Sequence, residues 1–326
     1  MSAELPYQRL IPDLVLGAIE STGIACNGSI LALNSYENRV YQIGTDEGFV
    51  VAKFYRPARW SDAAILEEHE FSLELAAREI PVVAPQVLQG RTLHEYEGYR
   101  FAVFPRRGGR WPELATSDER IWMGRFLARI HAVGATRRFE ARPTLSIERL
   151  GTVSAAEVLA GDWLPPHLVD AYRGITADVL AAVARNFEET MPYREARIHG
   201  DCHPGNVLWT DSGPHFVDLD DCMNGPAVQD LWLFLSGSRD DMGAQLADLL
   251  EGYEQFHDFD YRELRLIEAL RTLRMIHYAA WIARRWTDPA FPRAFPWFAE
   301  TKYWEEHVLA LREQRAALDE PNLSLP

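Results

Sequence analysis

Three polar side chains in the segment 198–221 have the types and spacing needed to act together on a phosphate group. The segment opens with a His-Gly-Asp motif whose aspartate is Asp201; Asn206 follows five positions later, and Asp218 ends a short apolar run. Phosphoryl transfer needs a carboxylate beside the attacking hydroxyl, and an amide oxygen and a second carboxylate that hold Mg²⁺. The pattern predicts Asp201 and Asp218 as catalytic residues, and Asn206 and Asp218 as Mg²⁺ ligands.

The residues between these side chains suggest how they meet. Residues 207–209 and 215–217 have the pattern of two short strands, joined by the turn 211–214. Such a hairpin would return Asp218 to the neighbourhood of Asn206. A His-Gly-Asp triplet alone is weak evidence because short motifs also occur by chance, but the whole strand–turn–strand pattern is far more specific. Kinase loops have this Asp/Asn spacing with a separate metal-binding aspartate.

The same segment resembles the catalytic loop of the aminoglycoside phosphotransferase and choline kinase superfamily. The resemblance extends over nearly the whole chain to the stress response kinase A family, and its most specific stretches are 33–41, 50–60, 199–209, 217–234 and 286–298. Resemblance to that family implies a two-lobed, protein-kinase-like α+β fold with a small β-rich N-lobe and a larger helical C-lobe. It also implies an ATP-dependent serine/threonine protein kinase that uses Mg²⁺, acts on protein substrates and is a monomer.

Length and charge limit the other possibilities. A chain of 326 residues suits two lobes, and we predict an N-lobe at 1–104, a hinge at 105–110 and a C-lobe at 111–326. The formal net charge of −15 argues against a nucleic-acid partner and against docking on anionic lipid. The sequence has no signal-peptide pattern, and no apolar run reaches the roughly 18 residues of a membrane span. Three cysteines suggest reduced thiols, so we expect a cytoplasmic protein.

A lysine in the first lobe is the expected phosphate ligand. Lys53 lies in an otherwise apolar strand, where alternation turns its side chain inward and calls for an anionic partner. We predict that it orients the α- and β-phosphates of ATP; the alternative is an edge-strand lysine that points to solvent. The helix predicted at 61–79 offers its carboxylate partner. Analogy with small-molecule kinases selects Glu68, with Glu67 and Glu70 as alternatives.

Further nucleotide contacts are expected in two loops. The loop 33–39 has no glycine, yet its backbone amides and the side chains of Ser35 and Asn38 could approach phosphate. Resemblance to the stress response kinases implies that Ser35 contacts ATP, whereas the residues alone fit a polar hairpin tip equally well. The apolar strand that ends in Phe104 runs into Pro-Arg-Arg-Gly-Gly, which suits a connector whose backbone binds the adenine edge. We therefore assign Phe104 and Arg106 to the nucleotide site.

Other residues of the second lobe are given supporting roles. Asp230 is expected to anchor the catalytic loop and to cap a helix, and His131 to be a core residue. Asp220 and Asp221 fit a solvated acidic turn better than a second Mg²⁺ site. The basic, aromatic segment 271–286 either lines the acceptor side of the cleft or packs as an amphipathic helix. Helices are predicted at 117–134 (capped by Ser117), 167–187, 240–255, 260–286 and 301–318, with 140–166 irregular.

The catalytic motif leaves the acceptor open. A small-molecule kinase acting on an aminoglycoside, choline or homoserine fits the same motif, and an acidic C-lobe suits a cationic acceptor. A nucleotide-binding regulator without catalysis is a third possibility. It is disfavoured because the lysine, both aspartates and the asparagine are all present.

Overall fold

The computed structural model describes residues 6–325 and has an N-lobe built on one antiparallel sheet. Its elements are α1 (Pro12–Glu20), β1 (Cys26–Leu33), β2 (Arg39–Thr45), β3 (Gly48–Phe54), α2 (Asp62–Ala77), β4 (His94–Tyr96) and β5 (Tyr99–Pro105). The five strands lie in the order β1-β2-β3-β5-β4, and Lys53 on β3 is opposite Ala102 on β5. The helix predicted at 61–79 is confirmed as α2, and Ser61 caps it: the Ser61 hydroxyl accepts from the Ala64 amide at 3.2 Å.

The C-lobe is mainly helical, with two small two-stranded sheets that carry the polar loops. Its elements are α3 (Ser117–Gly134), α4 (Val153–Ala160), α5 (Val169–Thr190), β6 (Ala196–Ile198), β7 (Val207–Thr210), β8 (Gly213–Phe216), β9 (Met223–Gly225), α6 (Val228–Leu231), α7 (Arg239–Tyr253), α8 (Ile267–Arg285), α9 (Ala290–Ala294) and α10 (Thr301–Ala317). β6 pairs with β9, and β7 pairs with β8 as the sequence predicts. None of the described helices is long and apolar enough to cross a membrane.

Helix α2 packs against both lobes. Ile65 belongs to a small cluster with Tyr55 and Ala102 of the sheet, whereas Phe71 and Leu75 belong to the large core of the C-lobe. Burying a side chain of this size contributes about 1.5–3 kcal/mol. The helix is therefore held from two sides, and the glutamates on it keep a fixed position relative to both lobes.

Two local predictions in the C-lobe are wrong. The stretch 140–166, expected to be irregular, contains a π-helical turn at 148–152 that leads into α4. Its small and branched residues form a helix because they bury one face against α8. Helix α3 is capped by Thr116 rather than Ser117: the Thr116 hydroxyl accepts from the Glu119 amide, and the Glu119 carboxylate accepts from the Thr116 amide. This reciprocal arrangement satisfies two free amides at once.

A short segment of backbone connects the two lobes. Strand β5 ends at Pro105, and Arg110 already pairs with Trp209 of β7 in the C-lobe. The Arg110 amide donates to the Trp209 carbonyl at 3.0 Å, and the Trp209 amide donates to the Arg110 carbonyl at 2.7 Å. Residues 106–109 thus form the link between the β5 sheet and the β7–β8 hairpin.

Candidate active site

The loop that carries Asp201 is fixed from below by a buried aspartate. The amides of His199 and Gly200 donate to the two carboxylate oxygens of Asp230, at 2.7 and 2.8 Å. Asp230 is fully buried and also contacts the His131 ring at 3.0 Å, so the predictions of a loop anchor and of a core histidine are confirmed. The helix-cap part of the prediction is wrong, because Asp230 lies inside α6 and its carboxylate is taken up by the loop amides.

The glycine of the His-Gly-Asp motif is required by the fold. Gly200 has φ +82°, in the left-handed region that other residues rarely adopt. A Cβ atom at this position would lie 2.3 Å from the carbonyl oxygen of Asp221. The glycine therefore lets the Asp201 loop approach the loop that follows Asp218 at backbone distance.

The structure brings together the three polar residues of the motif. The Asn206 side-chain amide donates to the Asp201 carbonyl at 3.0 Å, and the Val217 amide donates to the Asn206 carbonyl at 3.0 Å. Asp218 has left-handed backbone angles (φ 58°, ψ 60°), which aspartate tolerates better than most residues. Among the described residues, no side chain donates a hydrogen bond to the Asn206 Oδ1. This oxygen and the half-exposed Asp218 carboxylate remain available to a ligand.

Asp201 lies at the open side of the site, where its carboxylate meets two donors from the C-lobe. Its Oδ1 accepts from Nη1 of Arg274 on α8, and its Oδ2 is 3.5 Å from Nε2 of His203. The Asp201 side chain is 25% exposed and the Arg274 side chain 41%. The base expected from the sequence is thus accessible and has a cation beside it.

Lys53 is buried and surrounded by carboxylates. Its ammonium lies 2.9 Å from Asp218, 3.2 Å from Asp220 and 3.3 Å from Glu68. Burial alone would lower the pKa of Lys53, but these carboxylates outweigh it and raise the pKa well above its usual value. The inward orientation predicted from the strand pattern is confirmed. Three carboxylates therefore fix the position of the Lys53 ammonium.

Of the three candidate glutamates, the structure brings Glu68 to Lys53. The Glu68 carboxylate is buried and shared between Lys53 and Arg142, whose Nη2 lies 2.8 Å away. Glu67 has another role: the backbone amides of residues 140–142 donate to its carboxylate at 2.7–2.9 Å and join α2 to the C-lobe. The exposed Glu70 makes only a long contact to an exposed arginine.

The expectation of a solvated acidic turn is wrong for Asp220. Its side chain is 4% exposed, contacts the Arg59 guanidinium and accepts from the Asn38 amide at 3.0 Å. Burial raises the pKa of Asp220, but Arg59 and Lys53 outweigh that cost and hold the pKa below its usual range. Asp221 is more exposed and lies 2.7 Å from Arg59. The turn is an ion-pair network because arginines from distant segments reach it.

The loop between β1 and β2 places its two predicted donors differently. The Ser35 hydroxyl donates to the Asn38 carbonyl at 3.2 Å and remains partly exposed. The Asn38 side chain is buried: it donates to Asp220 and accepts from the Arg56 amide at 3.1 Å. Asn38 therefore links the loop to the Asp220 turn rather than presenting an open amide. A nucleotide contact by Ser35 stays a prediction.

The tip of the same loop is bound to the C-lobe. Glu37 accepts from the Trp281 indole at 2.6 Å and lies 2.9 Å from the Arg285 guanidinium, both on α8. Arg39 donates to both carboxylate oxygens of Asp288 at 2.9 Å. These contacts fix the glycine-free loop to the C-lobe.

The two hinge residues assigned to the nucleotide site lie beyond these networks. Phe104 is half-buried beside the small core cluster of Tyr55 and Ile65, and its ring packs edge-on to His69 with centroids 6.4 Å apart. Arg106 is exposed on the crossing segment. Their contacts with a nucleotide stay predictions.

Sequence reasoning missed two arginines around the site, Arg59 and Arg142, and left open whether the segment that contains a third, Arg274, lines the cleft. They reach Asp220, Glu68 and Asp201 from segments remote in sequence. The basic composition of 271–286 was the one signal for Arg274. No spacing or periodicity in the sequence points to the other two.

A lysine–glutamate pair in a β-rich lobe, opposite an Asp–Asn–Asp set in a helical lobe, defines a kinase-like phosphotransferase. Comparison with known proteins agrees: the model of the phosphotransferase enzyme family (APH) matches residues 29–267. Stress response kinase A of Escherichia coli strain K12 is 43% identical over 320 residues, which cover 98% of this chain and 97% of the relative. The serine/threonine protein kinase RdoA of Salmonella typhimurium strain LT2 is 42% identical over the same shares.

The chain belongs to the stress response kinase A family, within the aminoglycoside phosphotransferase and choline kinase-like superfamily. Among solved structures, amicoumacin kinase hAmiN in complex with AMP-PNP, Ca²⁺ and Ami superposes with a TM-score of 0.73. The two are 16% identical and the match covers 94% of each chain. The predicted two-lobed kinase-like α+β fold is thereby confirmed, and the protein is a kinase.

Proposed function

We propose that this protein is an ATP- and Mg²⁺-dependent serine/threonine protein kinase of the stress response kinase A type. The observation that carries the proposal is that one site contains Asp201, Asn206 and Asp218, with the Lys53 ammonium 2.9 Å from Asp218. The name of the Salmonella relative supports a protein acceptor. In this proposal the chain acts as a cytoplasmic monomer, with 105–110 as the hinge between the lobes.

The chemistry is mainly positioning and charge compensation. Asp201 accepts a hydrogen bond from the acceptor hydroxyl and orients it, or takes its proton as transfer proceeds. Lys53, held by Glu68, orients the α- and β-phosphates of ATP. Because these groups are in place before the substrate arrives, little reorganisation accompanies the reaction.

The donor set fits Mg²⁺. The Asn206 Oδ1 and the Asp218 carboxylate are hard oxygen ligands, and the latter is 51% exposed. Among residues 6–325 no group of three histidine, cysteine or acidic side chains is arranged to hold a metal by itself. Mg²⁺ commonly keeps several waters and binds one or two protein carboxylates together with substrate phosphates, so two protein ligands suffice. The ion would supply positive charge opposite the developing phosphate charge.

A small-molecule kinase is the second candidate, supported by the fold shared with amicoumacin kinase. The Arg274 guanidinium beside Asp201 speaks against a cationic acceptor. Two like charges about 4 Å apart repel by roughly 1–4 kcal/mol, depending on solvent access. A regulator without catalysis is disfavoured because every catalytic side chain expected of a kinase is present in one site.

The experiment is phosphoryl transfer from γ-labelled ATP with Mg²⁺, run with a generic protein substrate and separately with small hydroxylated amines. Asp201→Ala serves as the inactive variant and Asp211→Ala, in the exposed hairpin turn, as its matched control. We expect label on serine or threonine of protein, lost in Asp201→Ala and kept in Asp211→Ala. Label on the amines alone would favour the second candidate, and no transfer to any acceptor would contradict the proposal.

A further inference from the structure

Three guanidinium groups surround the ring of Trp60, just before helix α2. The central guanidinium carbons of Arg142, Arg59 and Arg149 lie 4.6, 5.2 and 5.8 Å from the ring centroid. Arg59 and Trp60 come from the N-lobe, whereas Arg142 and Arg149 come from the C-lobe. The three guanidinium groups therefore meet between the lobes.

Two buried donors in this cluster have no hydrogen-bond partner in the part of the chain that the structure describes. Arg59 is paired with Asp220 and Asp221, and Arg142 with Glu68. The Arg149 guanidinium differs: within residues 6–325 it makes no hydrogen bond or ion pair, and its Nη1 is buried. The indole Nε1 of Trp60 is also buried and unpartnered. A buried donor without an acceptor costs roughly 1–3 kcal/mol, more for a charged group, so both call for an acceptor.

The other groups around Arg149 do not supply that acceptor. Arg284 on α8 is paired with Glu157 at 2.7 Å, and Asp221 is held by Arg59. His277 hydrogen-bonds to a serine hydroxyl of α4, and burial followed by Arg284 and Arg149 lowers its pKa to about 3. Burial lowers the pKa of Arg149, the Asp221 carboxylate opposes that shift, and Arg59 and Arg284 add to it, but an arginine stays protonated at neutral pH. Asp221 thus compensates part of the Arg149 charge, but among the described residues the buried Nη1 of Arg149 still has no hydrogen-bond acceptor.

We propose that Trp60 and Arg149 form an oxyanion-binding site between the lobes, which takes a phosphate or a carboxylate group. A guanidinium has five N–H donors in a planar fork that matches such anions, and the indole N–H adds another. The anion comes either from an acceptor polypeptide or from free inorganic phosphate.

The position of the site couples it to the nucleotide. Arg149 lies in the C-lobe turn at 148–152, whereas Trp60 precedes the helix that carries Glu68. Arg59, next to Trp60 in the chain, holds the Asp220–Asp221 turn beside Lys53. An anion bound here ties α2 to the C-lobe, and by linkage the nucleotide and the anion strengthen each other's binding.

Thermal unfolding of the full chain tests the proposal. Potassium phosphate is titrated at constant ionic strength against potassium chloride, with Mg²⁺ and a saturating non-hydrolysable ATP analogue that fills the nucleotide phosphate positions. We expect phosphate to raise the Tm of the wild type. Arg149→Met and Trp60→Phe should weaken the apparent phosphate affinity about tenfold or more. Arg312→Met, which removes an exposed arginine on α10, should respond like the wild type.

The variants also control for folding. Arg149→Met removes a charged group whose buried Nη1 has no acceptor, so without phosphate its Tm should equal or exceed that of the wild type. Arg149→Lys should retain part of the response, because it keeps the charge but loses the planar fork of donors.

The source of the anion is tested with a phosphoserine peptide in place of phosphate. A rise in Tm at peptide concentrations below those at which phosphate acts assigns the site to an acceptor polypeptide. A rise in Tm with phosphate alone assigns it to the free anion. An equal response in all variants, or none in the wild type, would overturn the proposal.

Discussion

The two sides of the cleft are built differently. On the nucleotide side, Lys53, Glu68 and Asp220 are at most 6% exposed, and each has two or more oppositely charged partners. On the acceptor side, Asp201 and Arg274 are 25% and 41% exposed and pair with each other. In the proposed function, the groups that bind phosphate are thus in place before any ligand binds, whereas the proposed base Asp201 stays open to different hydroxyl groups.

The energetic consequence follows from burial. Removing one partner of a buried ion pair costs about 3–5 kcal/mol because the other charge is left without compensation. An exposed pair contributes at most about 1 kcal/mol. Substitutions on the nucleotide side should therefore affect stability and turnover together, while those on the acceptor side should affect turnover alone.

Asp218→Asn tests the nucleotide side most severely. Asparagine tolerates the left-handed backbone of Asp218, so the change removes charge without forcing a new conformation. We expect turnover to fall on the order of 100-fold or more, and Mg²⁺-dependent nucleotide binding to weaken. Nucleotide titrations with and without Mg²⁺ would measure the difference, and an unaltered metal dependence would reject Asp218 as a ligand.

Glu68→Gln tests whether the buried network also stabilises the fold. The change leaves Lys53 and Arg142 with less compensating charge, and we expect a loss of about 3 kcal/mol in unfolding free energy together with reduced turnover. Glu70→Gln on the exposed face of the same helix is the matched control. Equal urea midpoints for the two variants would show that the network does not contribute to stability.

Arg274→Ala tests the acceptor side. We expect turnover to fall about tenfold, because the Asp201 carboxylate loses the donor that orients it, while stability and the KM for ATP stay unchanged. Added guanidinium ion should restore part of the turnover. A loss of stability, or an equal change in the KM for ATP, would mean that the two sides are not independent.

The smallest effect on turnover is expected for a substitution of Glu263, which belongs to neither the nucleotide side nor the acceptor side of the cleft. Its carboxylate accepts from the Val228 amide at 2.9 Å. Burial raises the pKa of Glu263 to about 7. Between its usual pKa near 4.5 and pH 7, the folded protein keeps a proton that the unfolded chain has released. Stability should therefore decrease as the pH rises through this window, by about 3 kcal/mol at most.

Glu263→Gln should remove that pH dependence and leave turnover unchanged, as measured by urea unfolding at pH 5 and pH 8. An identical slope in the wild type and the variant would contradict the assignment of the slope to Glu263.

The sequence predicted the parts of the site that depend on local spacing. Asp201, Asn206 and Asp218 lie within one loop and hairpin. The alternation of residues in the strand around Lys53 was sufficient to predict that its side chain points inward. The burial and ion pairing of the Asp220 side chain could not be predicted. An Asp-Asp pair on a turn is ordinarily solvated, and its burial depends on Arg59 and Asn38, which lie more than 150 positions away.

The central claim is that Asp201 acts on the acceptor while the nucleotide side binds ATP without it. The most direct test is to measure nucleotide binding by calorimetry and phosphoryl transfer by label for Asp201→Asn and the wild type. We expect transfer to fall by about 100-fold to 10,000-fold while nucleotide affinity changes less than about threefold. Unchanged transfer, or a parallel loss of nucleotide binding, would contradict the account.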